Sequence, residues 1–488
     1  MSQDPSRVPV IVGVGEINDR SGGGEEALDS LQLMLAALAA ADHDAGEGWL
    51  ARCERILVVP QLSFSEIDIP LSLSTATGLD LSAVQQADVA SGDTPVRLLN
   101  DAANAISRGE VAACAIVGAE AMRTALRAGK PLFPNAQKNA SDLRRRYSLF
   151  QPVEVYPFYE NAMRAAEGLS LAESQAETGL LWSLMSQVAE NSQGAWLRSR
   201  KSPAEIVEPS ADNRPIAFPY TKLMVANASV NQGAAVIVTS LAAARKAGLP
   251  EDMLVRIGAG AAAHEAHEAM ARSDWTVPTG MRVAIEQVLL RNGLTTSDID
   301  HAELYSCFPC VPKMARRVLG WPADRPATVH GGLTFGGGPV ANYMTHAIAA
   351  MVRKLRVDGR TGLLFGNGGF CEHNHCIVLS RDLLTDSPLP QDYDAQAFAD
   401  ARRGPIPLLS DMVEGDLVVE TYTVLYDRDG RARQGIVLSH GLGGERVIAR
   451  VDREDIRSLT YLTDGITEPI GNPGNNRRLG EVLVWSAP

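Results

Sequence analysis

The sequence contains no run of about 18 apolar residues, so it predicts no membrane-spanning helix. Its 45 Lys and Arg residues are outnumbered by 58 Asp and Glu residues, and the net charge is −13. This balance argues against a nucleic-acid-binding or anionic-membrane-binding protein. Six cysteines in 488 residues are too few for a disulfide scaffold and suit a reducing compartment. The first residues lack a cationic region before their apolar run, so we expect no signal peptide and a cytoplasmic location.

What is present is typical of a globular α/β protein. Apolar residues make up 45% of the chain and charged residues 21%, and the length predicts two or three domains. Residues 8–14 and 56–59 are short apolar runs typical of strands buried on both faces, and a helical apolar repeat lies between them. Strand, helix and strand in this order predict an α/β layer fold.

Two parts of the chain repeat one order of elements. Residues 93–107 follow a turn, predict a helix, and lead into an apolar strand at 111–117. Residues 330–352 begin with a glycine turn, continue with Pro339 in the first turn of a buried helix, and lead towards a strand at 362–365. The shared order predicts a chain built of two similar halves.

Glycines cluster at the ends of these elements. They let a backbone approach a ligand closely, and the free N–H groups at a helix start suit a carbonyl oxygen, a phosphate or an enolate. The alternative is a tight turn that binds no ligand. On the first interpretation, the candidate oxyanion framework consists of Gly92, Gly337, Gly338, Gly368 and Gly369.

Residues 123–219, between the two halves, have a different composition. They carry basic residues, aromatic residues and several prolines, which indicates an inserted and partly helical lobe. The three consecutive arginines at 144–146 have two interpretations: a solvated face, or a phosphate contact for a nucleotide-bearing substrate.

Four motifs, in matching order, resemble those of the thiolase superfamily, whose members handle acyl-CoA esters. GGLTFGGGP at 331–339 is similar to the glycine signature GGxxxxGHP, and ASVNQGAA at 228–235 is similar to a Ser-Asn-Asp-Gly-Ala-Ala stretch. DIDHAELYSCFP at 298–309 is similar to the DIDxxE segment and the catalytic loop that follows it. GEVAACAIVGAEAM at 109–122 is similar to the strand end that carries GGxESM.

The resemblance implies an α/β thiolase fold, in which two βαβαβαββ halves form a five-layered α-β-α-β-α core with an inserted loop domain. The β-rich C-terminal part resembles the extra domain of thiolase-like proteins of type 1, and more loosely the OB-like partners of thiolase-like enzymes. We therefore predict an N-terminal half at 1–122 and 220–250, a loop domain at 123–219, a C-terminal half at 251–384, and a linker with a β-rich, OB-like domain at 385–488.

The chain departs from the family at the catalytic positions. The position of the nucleophilic Cys falls on Gly92 or Val89, and the position of the second Cys falls on Leu364 or Phe365. Gly338 stands in place of the His of the glycine signature, and Tyr305 stands in place of the Asn or His of the fourth loop. Thiolysis through an acyl-enzyme needs a nucleophile and a base within reach of each other. We therefore do not expect the ordinary thiolase mechanism.

Tyr305 and Tyr343 remain as candidate acid–base residues. The pattern resembles thiolase-like aldolases of steroid side-chain degradation, which are thought to use tyrosines on β-hydroxyacyl-CoA esters. The alternative for both is core packing with a satisfied hydroxyl. Cys371, just beyond the last glycine loop, is a weaker candidate for a displaced thiol. Polar and basic residues near these motifs are the candidate CoA contacts, namely Arg144, Arg145, Ser229 and Asn231.

Cys307, Cys310 and residues 371–376 hold enough sulfur and imidazole groups for zinc. Against zinc, Cys307 coincides with a cysteine of one variant of the family motif, and on a strand Cys376 faces away from Cys371. We predict no metal and no bound cofactor, with a coenzyme A ester as substrate or ligand.

The expected function is acyl transfer or carbon–carbon bond chemistry at a CoA thioester, by a protein that lacks the usual Cys/His/Cys set. Two alternatives stay open. One is a tyrosine-dependent retro-aldolase of β-hydroxyacyl-CoA, and the other is a non-catalytic protein that binds a CoA ester or lipid. The expected partner is an acyl-CoA, with no nucleic acid, and the expected state is a monomer or homodimer.

Overall fold

The computed structural model describes residues 4–21, 27–133, 136–382, 384 and 389–488. The glycine-rich turn at 22–24 and the first residues of the predicted linker, 385–388, lie outside this part of the chain. Within it, no helix is long and apolar enough to cross a membrane.

The described residues form strands that are distributed over two sheets. In chain order they are β1 (Pro9–Asn18), β2 (Arg55–Val58), β3 (Val84–Gln86), β4 (Ala113–Ala121), β5 (Pro215–Ala217), β6 (Tyr220–Thr221), β7 (Asn231–Ser240), β8 (Val255–His264), β9 (His301–Leu304), β10 (Thr361–Gly368), β11 (His373–Ser380), β12 (Leu409–Ser410), β13 (Gly415–Tyr426), β14 (Ala432–His440), β15 (Arg446–Val451), β16 (Pro473–Leu479) and β17 (Val482–Ser486).

The helices lie between these strands or flank them. In chain order they are α1 (Ser30–Asp44), α2 (Ile69–Thr77), α3 (Thr94–Arg108), α4 (Met122–Arg127), α5 (Asp142–Arg146), α6 (Pro152–Ala166), α7 (Leu171–Asn191), α8 (Pro203–Val207), α9 (Leu241–Lys246), α10 (Thr279–Arg291), α11 (Cys310–Leu319), α12 (Tyr343–Val357), α13 (Gln396–Arg402) and α14 (Ile456–Thr463).

The first sheet contains the predicted duplication. Its strand order is β3-β2-β4-β7-β1-β8-β11-β10-β9. In the first half, β7 runs antiparallel between β1 and β4; in the second half, β11 runs antiparallel between β8 and β10 in the same way. Parallel pairs then extend each half outward, β4 with β2 and β10 with β9. The α/β fold with two equivalent halves is therefore confirmed.

Helices α3 and α12 are equivalent elements of the two halves, and they pack against each other and against strands of both halves. Both are buried over most of their length, which explains their apolar and small side chains. The predicted start of α12 at Pro339 is wrong. A π-helical turn at Gly332–Gly336 and a 3-10 turn at Val340–Asn342 precede the helix, which begins at Tyr343. Val340 has a φ of 44°, and this left-handed conformation prevents an α-helix from running through it.

The second sheet is formed mainly by the C-terminal part of the chain, as its β-rich sequence predicts. Strands β12 to β17 all belong to it. Two short strands complete one edge: β5, from the predicted inserted lobe, and β6, which lies just after that lobe. Ala217 pairs with Leu425, and the N–H of Phe218 donates to the carbonyl of Val424. The inserted lobe and the C-terminal part thus share a sheet. The predicted boundaries of the lobe, 123–219, treat the two as separate domains.

Helix α6 of the inserted lobe packs along β13. Thr421 Oγ1 donates to the Phe158 carbonyl over 2.7 Å, and Asn161 Nδ2 donates to the Tyr422 carbonyl over 3.0 Å. All four residues are buried. Because the same helix carries two tyrosines that reach the candidate site, the C-terminal sheet supports that site from behind.

Candidate functional site

The site is organised around Gly92, which lies two residues before the start of α3. A Cβ atom at this position would lie closer than 3.0 Å to both the Tyr305 hydroxyl oxygen and the Asn367 carbonyl oxygen. Real Cβ atoms essentially never approach heavy atoms so closely. The predicted nucleophile position therefore has room only for glycine, and the hydroxyl of Tyr305 occupies the adjacent space.

Tyr305 follows β9, and its backbone N–H donates to the Phe365 carbonyl over 3.1 Å, which fixes the residue beside β10. Its side chain is 6% exposed, and within the described residues no hydrogen bond acts on its hydroxyl. Burial raises the pKa of Tyr305 well above its usual value, and the neighbouring Cys307 and Asp93 act in the same direction. At neutral pH the hydroxyl is protonated, so it is a hydrogen-bond or proton donor rather than a base.

Tyr343 lies next to Tyr305, with the ring centroids 6.0 Å apart in an edge-to-face arrangement. Its hydroxyl donates to Glu303 Oε1 over 2.7 Å, and the side chain is fully buried. The two predicted tyrosines are therefore brought together, but their environments differ. The Tyr343 hydroxyl is hydrogen-bonded to the carboxyl group of Glu303, whereas the Tyr305 hydroxyl is free.

Glu303 lies under this pair of rings. Its Oε2 atom accepts hydrogen bonds from Thr328 Oγ1 and the Val329 N–H, each over 2.8 Å. Burial raises the pKa of Glu303 to about 7, although these donors and Tyr343 favour the ionised form. The carboxyl group is therefore an internal proton-binding group that changes charge near neutral pH.

The raised pKa of Glu303 predicts a pH-dependent stability. The unfolded chain loses this proton near the ordinary pKa of 4.5 and the folded chain near 7. The contribution to the free energy of unfolding is thus complete below pH 4.5 and is lost as pH rises to about 7. We expect a loss of roughly 3 kcal/mol over this window. Denaturant unfolding of the wild type and of Glu303→Gln should show it, because the amide cannot ionise. Parallel pH curves for the two proteins would contradict the assignment.

Asp93 is a candidate site residue that the sequence analysis treated only as part of a helix start. It is 5% exposed, and its Oδ1 atom accepts a hydrogen bond from Ser91 Oγ over 2.5 Å. It is also the carboxylate whose charge acts on the Tyr305 hydroxyl. Its position in the sequence, directly after Gly92 and at the start of α3, could have identified it as a site residue. A buried carboxylate whose charge acts on a protonated tyrosine hydroxyl is a candidate acid–base partner of that tyrosine.

The glycine loop after β10 ends in a strained turn. Phe370 and Cys371 have φ values of 60° and 64°, which non-glycine residues rarely adopt. The Phe370 carbonyl accepts hydrogen bonds from Tyr159 Oη over 3.0 Å and from Arg272 Nη2 over 2.9 Å. The Arg144 guanidinium lies 4.7 Å from the centre of the Phe370 ring. Three side chains from outside the loop thus hold a conformation that the loop itself disfavours.

A second tyrosine from α6, Tyr156, reaches the same loop. Its hydroxyl donates weakly to Asn367 Oδ1 over 3.4 Å, and its ring stacks on Phe308 with the centroids 4.5 Å apart. Asn367 Nδ2 in turn donates to Asn374 Oδ1 over 2.9 Å. The polar groups at the end of β10 are therefore held by partners on both sides.

Cys371 lies in this turn and is fully buried. Burial raises its thiol pKa far above the ordinary value, so the thiolate needed for nucleophilic attack is not formed at neutral pH. We expect Cys371→Ala to change turnover of a CoA ester by no more than a few fold, measured by product formation. Complete loss of activity, together with a covalent acyl group on the wild-type thiol, would instead identify Cys371 as a nucleophile.

The other predicted glycines are placed differently. The N–H of Gly338 donates to the Asn227 carbonyl over 2.9 Å, so it is already occupied. Gly337 packs so closely against Gln232 that a Cβ would clash with its side chain. Gly368 packs against Ser91, and Gly369 is exposed at the loop end. Gly92 and Gly368 thus belong to the Tyr305 site, and an oxyanion role for any of these residues stays a prediction.

The four predicted CoA contacts do not form one group. Arg144 is buried, with its Nε donating to the Leu149 carbonyl over 3.0 Å, and it lies against the strained loop. Arg145 lies towards solvent and pairs with Asp142. Ser229 is exposed, whereas Asn231 is buried at the start of β7 and donates to Thr124 Oγ1 over 2.9 Å. CoA binding by these residues stays a prediction, and Arg144 is the one beside the site.

All six cysteines are buried and free. His373 and His375, which were considered as zinc ligands together with Cys371, have separate partners. His373 Nδ1 lies 3.0 Å from His264 Nδ1, and His375 Nε2 lies 2.6 Å from Asn100 Nδ2.

Two comparisons bear on the family. The family model for the thiolase-like protein type 1 additional C-terminal domain matches residues 397–476. The crystal structure of a monomeric SCP2-thiolase-like protein type 1 from Mycobacterium smegmatis matches with a TM-score of 0.84 and 28% identity, over 99% of this chain and 100% of that one. The chain is therefore similar over its whole length to a thiolase-like protein of type 1, and its C-terminal part matches the additional domain of that group.

More distant structures share the fold of this thiolase-like protein. The Ltp2-ChsH2(DUF35) aldolase matches with a TM-score of 0.62 and 20% identity, over 77% of this chain and 99% of that one. Human mitochondrial 3-ketoacyl-CoA thiolase matches with a TM-score of 0.57 and 14% identity, over the same shares. No curated protein matches by sequence. The thiolase fold predicted from the motifs is thereby confirmed.

Proposed function

We propose that this thiolase-like protein acts on acyl-CoA esters without a covalent acyl-enzyme, by acid–base cleavage or formation of a carbon–carbon bond. The observation that carries the proposal is the replacement at the nucleophile position. Gly92 leaves no room for a side chain, and the free, protonated hydroxyl of Tyr305 lies against it. Acyl transfer through a thioester lacks its nucleophile at this position, whereas Tyr305 and Asp93 supply candidate groups for proton transfer.

The proposed reaction is retro-aldol cleavage of a β-hydroxyacyl-CoA. Asp93 accepts the proton of the β-hydroxyl group, a carbonyl forms at Cβ, and the bond between Cα and Cβ breaks. The electron pair moves through Cα to the thioester oxygen, giving an enolate. Tyr305 then donates its proton to Cα and regains one from Asp93. The products are an aldehyde or ketone and a shorter acyl-CoA, and the proton removed from the hydroxyl ends on Cα.

The start of α3 contributes to this chemistry. The helix begins at Thr94, directly after Gly92 and Asp93, and runs for 15 residues. The N–H groups of Thr94 and Val96 are bonded to backbone carbonyls and Pro95 has none, so the helix contributes only the partial positive charge of its N-terminus. This charge favours an enolate oxygen near Gly92.

A direct test incubates the protein with a panel of β-hydroxyacyl-CoA esters and identifies the products by mass spectrometry. Intact-protein mass spectrometry is run on the same samples. We expect a shorter acyl-CoA and a carbonyl product, with no mass added to the protein. A covalent acyl adduct would overturn the proposal in favour of acyl transfer, and native mass spectrometry without bound CoA ester would remove CoA as the ligand.

Binding without chemistry is the second candidate function. It is favoured by Tyr343, which is fully buried and bound to Glu303 and so is closed to substrate. A carrier of this kind should hold CoA esters in native mass spectrometry and yield no product with any β-hydroxyacyl chain. The monomeric state of the Mycobacterium smegmatis protein suggests a monomer here, which the same spectra would measure.

A further inference from the structure

A second cluster of buried polar groups adjoins Glu303 and Tyr343: the His330 N–H donates to Glu303 Oε2 over 3.3 Å, and the rings of His330 and Tyr343 lie 5.8 Å apart. Glu16 near the end of β1, His330 before the π-helical turn, and His346 in α12 converge there, with side chains that are 4%, 0% and 1% exposed. Glu16 Oε1 lies 2.7 Å from His346 Nδ1 and 3.7 Å from His330 Nδ1. One ligand atom from each residue lies within 4.8 Å of the others.

These separations suit a small divalent ion. Tetrahedral zinc with bonds of about 2.0–2.1 Å to nitrogen and oxygen holds its ligand atoms about 3.3 Å apart. The two separations from Glu16 Oε1, 2.7 and 3.7 Å, lie on either side of that value. Two imidazoles and one carboxylate also match the donor types that zinc prefers.

The surroundings leave donor atoms without partners. The Nε2 atoms of His330 and His346 are buried and have no hydrogen-bond partner within the described residues. His330 Nδ1 lies 3.5 Å from Ser192 Oγ. Gly194 covers the carboxylate so closely that a side chain there would clash with it. A polar cluster so enclosed normally has every donor and acceptor matched, and this one does not.

Arg353 is the existing counter-charge. Its guanidinium contacts the other carboxylate oxygen, Oε2, and leaves Oε1 to the two histidines. Its side chain is 38% exposed, so it can turn outward into solvent. Metal ligands of the carboxylate type are commonly hydrogen-bonded through their second oxygen, and a bound dication would also weaken the attraction for Arg353.

We propose that Glu16, His330 and His346 form a binding site for a divalent transition-metal ion of the zinc class, with Arg353 as the cation that competes for the carboxylate. The site would join β1, the loop before the glycine turn and α12. Its role is structural, because its ligands are buried and His330 ties the ion to Glu303 through its backbone N–H. It is independent of the function proposed above.

The test uses the intact chain expressed in medium supplemented with Zn²⁺ or Co²⁺, because the buried site must fill as the chain folds. Metal analysis of desalted wild-type protein should find about one ion per chain, and the Co²⁺ protein should absorb as a tetrahedral complex. His330→Gln and His346→Gln should each lose this ion. His267→Gln is the matched control, since His267 is 93% exposed and contacts Glu372 instead.

Arg353→Gln separates the metal site from an ordinary ion-pair cluster. Removing the competing cation should strengthen Zn²⁺ binding at least about 10-fold in competition with a chelator. Metal content of wild-type protein equal to that of His330→Gln, or weaker binding in Arg353→Gln, would overturn the proposal. If the histidine variants do not fold, X-ray absorption of the wild-type zinc protein decides, because it must show an oxygen and nitrogen shell containing two imidazoles.

Discussion

Tyr305→Phe should lower the turnover of a β-hydroxyacyl-CoA by about 100-fold or more, because it removes the proton donor that returns a proton to Cα. The fold should be unaffected. No hydrogen bond acts on the Tyr305 hydroxyl within the described residues, so its removal leaves no buried partner unsatisfied. The ring, which supplies the packing, is kept. Steady-state kinetics and thermal unfolding of the same preparation measure both effects.

Tyr343→Phe is the matched control, since it deletes a hydroxyl only one ring away. Here the loss should be in stability, by about 1–3 kcal/mol, because Glu303 loses a buried donor. CoA-ester binding should be retained by both variants. Unchanged turnover in Tyr305→Phe would refute the tyrosine mechanism, and equal losses of turnover in the two variants would place the effect in the packing of the rings.

The sequence predicted those features that depend on the order of elements along the chain and on the residues at motif positions. The repeated order of turn, helix and strand predicted the two halves of the first sheet, because burial on both faces leaves long apolar runs. Tyr305 and Gly92 were found because they stand where a motif expects other residues. Asp93 was read only as a helix cap, although it is adjacent to Gly92. Adjacency in sequence does not reveal that the charge of this carboxylate acts on the Tyr305 hydroxyl.

Contacts between segments that are distant in the sequence could not be predicted from the sequence. The arginines at 144–146 were read as one surface, yet Arg144 lies over Phe370, Arg145 pairs with Asp142, and Arg146 pairs with Asp411 in the C-terminal part. A one-residue step on a helix turns the side chain by about 100°, so consecutive residues need not share an environment. Which of the three arginines lies beside the candidate site depends on how the inserted lobe packs against the rest of the protein.

Arg272 is the clearest case of a residue hidden from sequence analysis, and replacing it should have a large effect. It is fully buried, its Nε donates to Tyr159 Oη over 2.7 Å, and its Nη2 donates to the Phe370 carbonyl over 2.9 Å. Arg272→Met should therefore lower the free energy of unfolding by about 3–5 kcal/mol, because several buried acceptors lose their donor. Denaturant unfolding monitored by Trp275 fluorescence would measure it.

The same change should also reduce turnover at temperatures where the variant is still folded. Phe370 and Cys371 hold left-handed conformations only while their surroundings enforce them, and without Arg272 the loop should relax. Asn367, whose carbonyl faces Gly92, would then shift. Arg402→Met is the control, because Arg402 makes only a surface ion pair with Glu286. If Arg272→Met lost stability but kept full turnover, the strained loop would contribute to the stability of the fold and not to catalysis. The groups that take part in the reaction would then be Asp93 and Tyr305 alone.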